Sequence, residues 1–190
     1  MPRRSTLALG VSLLNAALIP FMLLAAMGFL LSVSAHILSL LGIQVPGGNA
    51  VMGLHIGIFA VWLPAVLVSR PVAKFGNRWG SLKILLGGCP RWMIYGVMAL
   101  FIYAIVNFLV FMGNAPNQSH LDAGWPPSVV RGFSGHWMLF YAAAFSILYS
   151  RIHAPQLFAP RKCPAGHTSS PSARFCPECG FAFQERPRNT

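Results

Sequence analysis

The sequence predicts an all-α membrane protein: four transmembrane helices followed by a small carboxy-terminal domain built on cysteine and histidine. Three observations lead there. Of 190 residues, 55% are hydrophobic and 9% are charged, against about a quarter charged in a globular protein. Four long apolar runs contain no Asp, Glu, Lys or Arg. Three of the four cysteines fall within the last 28 residues. With 14 basic and 3 acidic residues, most of the chain must face something other than water, which excludes a disordered chain, a coiled coil and an ordinary cytosolic enzyme.

A bilayer core about 30 Å thick needs roughly 20 apolar residues per helix. Backbone groups in lipid must pair within the segment, so each run is read as a helix and not a strand. The first run spans about 7–31, with Pro20 in its middle. Arg3-Arg4 before it and Val33-Ser34-Ala35 after it also suit a signal peptide. An apolar stretch of about 25 residues exceeds the 7–15 of a signal core, so the reading favours a retained helix. The second run spans about 50–68, between Gly47-Gly48-Asn49 and Arg70-Pro71. The third spans about 92–112 and the fourth about 133–150, which together make residues 1–152 the transmembrane region.

The basic residues set an orientation. Arg3 and Arg4 precede the first run, while Arg70, Lys74, Arg78, Lys83 and Arg91 lie between the second and third. Arg151, Arg161, Lys162, Arg174, Arg186 and Arg188 follow the fourth, leaving only Arg131 for the other side. The positive-inside rule then puts both termini in the cytoplasm. A net charge of +11 does not point to nucleic acid, because these charges flank spans, where they hold topology and attract anionic lipid headgroups.

Smaller features follow from this frame. Arg70, Lys74 and Arg78, with Phe75, Trp79, Leu82 and Leu86, read either as a basic amphipathic segment on the headgroup layer or as a solvated connector interrupted by Pro71, Gly76 and Gly80. Trp125 and Trp137 sit where interfacial anchors are expected. Asn15 and Asn107 are candidates for helix–helix hydrogen bonds, and Gly10, Gly28, Gly53, Gly57 and Gly96 for close packing. Cys89 reads as a small interfacial residue.

After Ala154 the composition changes. Residues 153–162, with Pro155 and Pro160, form a linker, residues 163–184 a small domain and residues 185–190 a tail. The domain reads Cys163-Pro-Ala-Gly-His167, eight residues, then Cys176-Pro-Glu-Cys179-Gly180. Thiolates and imidazole are the ligands zinc prefers, and two close pairs can complete a tetrahedron. With all four positions filled by protein, such a site is structural, and a cytoplasmic location keeps the thiols reduced. Gly180 is expected to take positive φ, so that backbone N–H groups turn toward sulfur. Phe175, Phe181 and Phe183 are expected to shield the sulfurs from water.

This stretch resembles the zinc-ribbon family, in the short form appended to bacterial membrane and signalling proteins. Phe175-Cys176-Pro177-Glu178-Cys179-Gly180 is similar to the family's second knuckle. The first knuckle departs from it: Gly166 stands where the second cysteine is expected, and His167 follows. The resemblance covers about 20 residues and implies Cys163, His167, Cys176 and Cys179 as metal ligands.

Two functions are expected from different classes. One is a multi-pass protein of a bacterial inner membrane that displays the zinc ribbon in the cytoplasm, for interaction with a protein partner, homo-oligomeric assembly or regulation. The other is a membrane redox or transport component in which the outer-side His36, His55 and His136 hold haem, a metal or protons; these and His120 read otherwise as interfacial histidines, each hydrogen-bonded to a neighbour or to water. The sequence carries no Ser/His/Asp set, P-loop, carboxylate pair or dinucleotide fingerprint that would mark an enzyme.

Overall fold

The computed structural model describes residues 3–73, 82, 84–114, 125–171 and 173–184, with side chains from residue 13 onward, Ala73 apart. Four long helices dominate: α1 (Arg3–Leu40), α2 (Gly53–Ala73), α3 (Arg91–Gly113) and α4 (Pro127–His153). A 3₁₀ turn, Gly48–Met52, leads into α2, and another, Pro155–Leu157, follows α4. Strands β1 (Arg161–Lys162) and β2 (Thr168–Ser169) pair antiparallel, with Arg161 opposite Ser169 and Lys162 opposite Thr168.

Every helix continues past the end of its apolar run. α1 continues from the expected end at 31 to Leu40 because its polar residues are absorbed into the helix: the hydroxyls of Ser32 and Ser39 donate to the carbonyls of Gly28 and Ala35, each at 2.7 Å. It stops at Gly42, whose φ of 72° lets Ile43 N–H reach Leu38 O at 2.9 Å and Gly42 N–H reach Ser39 O at 3.2 Å. That pair of bonds satisfies the last carbonyls of the helix. α2 runs through Arg70 and Pro71 instead of ending before them. α4 starts at Pro127, a residue suited to a first helical position, and so takes in Arg131.

Three helical segments are long and apolar enough to cross a membrane: Leu13–Leu40, Gly48–Val72 and Arg91–Gly113. The fourth expected span does not reach that standard. At 27 residues α4 is long enough, but it carries Arg131, His136, Arg151, His153 and four serines. Its side chains are mostly covered, with only Ser128, Phe140 and His153 exposed. α3, by contrast, turns Trp92, Tyr95, Ile102 and Leu109 outward. A helix covered by protein can keep polar residues that a lipid-facing helix cannot.

The chain divides into two compact units, each drawing on all four helices: Met22–Trp62 with Tyr95–Phe145, and Met1–Phe21 with Leu63–Ile94 and Ser146–Thr190. The first of these packs around Trp137 and Tyr141. Trp137 is no interfacial anchor, because it is completely buried and donates its indole N–H to His55 Nδ1 at 3.1 Å. Tyr141 donates to Leu54 O at 2.7 Å. Its side chain lies against Gly28 and Gly57, where a Cβ would collide with it. Gly53 and Gly96 face open space, so close packing does not explain them. Asn107 makes its expected interhelical bonds, donating to Arg131 O at 2.8 Å and Gly132 O at 3.2 Å. Asn15 does not; its side-chain oxygen is buried without a partner among the described residues.

In the other unit the expected linker is a packed seat. Ala154, Leu157 and Phe158 bury against Val72, with Ile84 and Leu85 alongside, and the Arg151 guanidinium lies 5.7 Å from the centre of the Phe158 ring. Gly88 N–H bonds Ser150 Oγ at 2.9 Å and Cys89 Sγ bonds Ser146 O at 3.1 Å. Burial pushes the Cys89 thiol up to about 12, which keeps it protonated and unreactive. Lys74, Phe75, Gly76, Arg78, Trp79, Gly80, Lys83, His120 and the tail 185–190 lie outside the described residues.

Candidate metal centre

Two short hairpins build the site. The first is β1–β2, whose turn holds Cys163 and His167 and closes with Cys163 N–H on His167 O at 3.1 Å and Gly166 N–H on Cys163 O at 2.9 Å. Gly166 sits at φ 87°, a conformation that favours glycine. The second hairpin pairs Phe175 with Ala182 and holds Cys176 and Cys179 at its turn. Cys176 N–H bonds Phe181 O at 2.8 Å, and Gly180, at φ 70°, bonds Cys176 O at 2.9 Å.

The two turns bring four donor atoms together, all within 4.8 Å of one another. Nδ1 of His167 lies 3.5 Å from Cys163 Sγ and 3.8 Å from Cys176 Sγ, and Cys179 Sγ lies 3.6 Å from Cys163 Sγ. A tetrahedral ion with metal–sulfur bonds of about 2.3 Å and metal–nitrogen bonds of about 2.0–2.1 Å needs S···S edges of about 3.8 Å and S···N edges of about 3.5–3.6 Å. The three distances lie within about 0.3 Å of those edges. The four donors are thus a Cys3His set that can hold a metal ion, and the four residues expected from the spacing are the four brought together.

The local electrostatics act in opposite directions on Cys176 and Cys179. Burial works against ionisation of Cys176, but the backbone N–H groups of Cys179 and Glu178, together with the Cys179 and Ser169 side chains, outweigh it and hold the thiol down to about 6. The Phe181 N–H favours the Cys179 thiolate, yet the neighbouring Cys176 and Cys163 outweigh it and push that thiol up. One feature escaped the sequence reading: Glu178, between two ligands, places Oε2 3.3 Å from Nε2 of His167.

The hairpins have almost no other core. Among the described residues from 161 to 184, only Cys163, Ser169, Ser170, Pro171 and Cys176 are buried. The expected aromatic shield is absent for Phe175 and Phe181, which are 61% and 44% exposed. The cause is strand alternation: Cys176 points inward, so its neighbour Phe175 points out. Phe181 and Phe183 pack edge to face with ring centres 5.7 Å apart, and Arg161 covers Phe183 at 5.5 Å.

The three expected histidine ligands lie on α1, α2 and α4. His36 lies inside α1, with Nδ1 2.7 Å from Ser134 Oγ and Nε2 on the Tyr103 hydroxyl. Ser134 Oγ also lies 3.0 Å from Arg131 O, and both ring nitrogens of His36 are hydrogen-bonded. His55 accepts from Trp137, and His136 stands edge-on to Phe108 at 4.8 Å. Among the described residues, no group of three or more His, Cys, Asp or Glu besides the Cys3His set is placed to hold an ion.

No family model, curated protein or solved structure matches the chain.

Proposed function

We propose that this chain is an integral membrane protein, seated in a bacterial cytoplasmic membrane, that presents a structural zinc ribbon in the cytoplasm for protein interaction or assembly. One observation carries the reading. The donor atoms of Cys163, His167, Cys176 and Cys179 form the core of a hairpin pair that buries no large apolar side chain. A segment of this kind folds on metal-binding free energy, and three thiolates with one imidazole are a soft set suited to zinc. No position is left open for substrate, so zinc there holds structure. The seat of Ala154, Leu157 and Phe158 fixes the start of the ribbon against Val72, which makes the helices its anchor. The basic residues near the ends of the spans favour anionic headgroups on the cytoplasmic side.

Topology provides the test, because α4 is the helix whose crossing is in question. Four crossings with a cytoplasmic amino terminus leave Thr190 inside, whereas three leave it outside. A fluorescent protein fused after Thr190 should therefore be bright and a periplasmic phosphatase at that position inactive, with the phosphatase active near Gln118. Phosphatase activity after Thr190 would place the ribbon outside and contradict the proposal.

A further inference from the structure

The chain has three carboxylate side chains in 190 residues, and one of them stands at the metal centre without being a ligand. Glu178 Oε2 lies 3.3 Å from Nε2 of His167, on the far side of the ring from the sulfurs. Nδ1 faces Cys163 Sγ and Cys176 Sγ at 3.5 and 3.8 Å. A ligating nitrogen offers its lone pair, so the proton of the neutral ring must sit on Nε2, and that N–H needs an acceptor.

The geometry assigns Glu178 as the positioning residue of the metal centre: its carboxylate accepts from Nε2–H of His167, fixing the tautomer and ring orientation that turn Nδ1 toward the ion. This rests on the zinc reading above and deepens it. A thiolate has a single donor atom and no tautomer to choose. An imidazole has two nitrogens and a ring free to rotate, so replacing a cysteine by His167 in the first knuckle creates a need that an all-cysteine ribbon lacks. The Cys176-Pro-Glu-Cys179 turn answers it, because the two ligands flanking Glu178 fix the backbone from which the carboxylate reaches back. The carboxylate also raises the basicity of the ligating nitrogen.

Competition between the full-length protein in detergent and a chromophoric zinc chelator tests the assignment. Wild type, Glu178→Ala and Glu178→Gln would be compared after stripping and reloading with zinc. The Glu178 side chain is 60% exposed, so neither substitution disturbs packing. Loss of the acceptor should weaken zinc binding about tenfold or more in Glu178→Ala, the range seen when an outer-shell partner is removed. Glu178→Gln keeps an acceptor oxygen without the charge and should recover most of that loss. Wild-type affinity in Glu178→Ala overturns the assignment. So does equal weakening in both variants, which would mean a bare charge effect without orientation. Failure of wild type to bind zinc is a separate outcome that removes the underlying reading as well.

Discussion

Replacing Cys176 by serine should empty the metal centre and unfold the ribbon while leaving the helices in place. Cys176 is buried, and two backbone N–H groups, together with the Cys179 and Ser169 side chains, hold the thiol down to about 6. A serine hydroxyl stays protonated and neutral there, so the cluster loses one of its three anionic donors. The remaining Cys2His set should bind zinc more than about 100-fold more weakly, beyond the upper end of what outer-shell changes cost. Because the ribbon's few buried side chains are mainly ligands and serines, losing the ion should expose its backbone to protease. Zinc content per chain and limited proteolysis read the two effects separately. Helix content should stay constant, since the helical packing around Trp137 and Tyr141 makes no use of the ligands. A Cys176→Ser protein that keeps one zinc at wild-type affinity would show that the site is not the Cys3His set.

Trp137→Ala should be the most damaging single change in the helical region. Trp137 is completely buried, and its indole N–H is the donor to His55 Nδ1. For a helix in lipid no transfer from water is lost, so the cost comes from the cavity left beside the buried neighbours. A destabilisation of about 3 kcal/mol is expected, the low end of tryptophan-to-alanine losses in protein cores. Trp137→Phe fills most of the volume but lacks the N–H, and should cost about 1 kcal/mol, as for one lost hydrogen bond. Equilibrium unfolding in mixed micelles measures both. An unchanged midpoint for Trp137→Ala would mean that the indole does not occupy the packed position described.

The ligand set was legible because metal spacing is local: Cys163-x3-His167 and Cys176-x2-Cys179 each fit one tight turn, and Gly180 took the expected positive φ. The helices were legible as apolar runs, but their ends were not. The stretch Ser32-Val-Ser34-Ala-His36 looked like a stop, whereas Ser32 bonds back into the helix and His36 bonds across to Ser134 and Tyr103. Such partners lie about 70 or 100 residues away and leave no mark on local composition. Trp137 was misplaced for the same reason, since a tryptophan near the end of an apolar run suits an interface or a core equally. Glu178 went unnoticed because its partner is set by how the two hairpins meet, not by spacing within either.

X-ray absorption at the zinc edge, on full-length protein purified without added metal, tests the central claim most directly. The account predicts about one zinc per chain, with three sulfur neighbours at about 2.3 Å and one nitrogen at about 2.0–2.1 Å. A chain without bound zinc, or a shell of oxygen and nitrogen with fewer than three sulfurs, would contradict it.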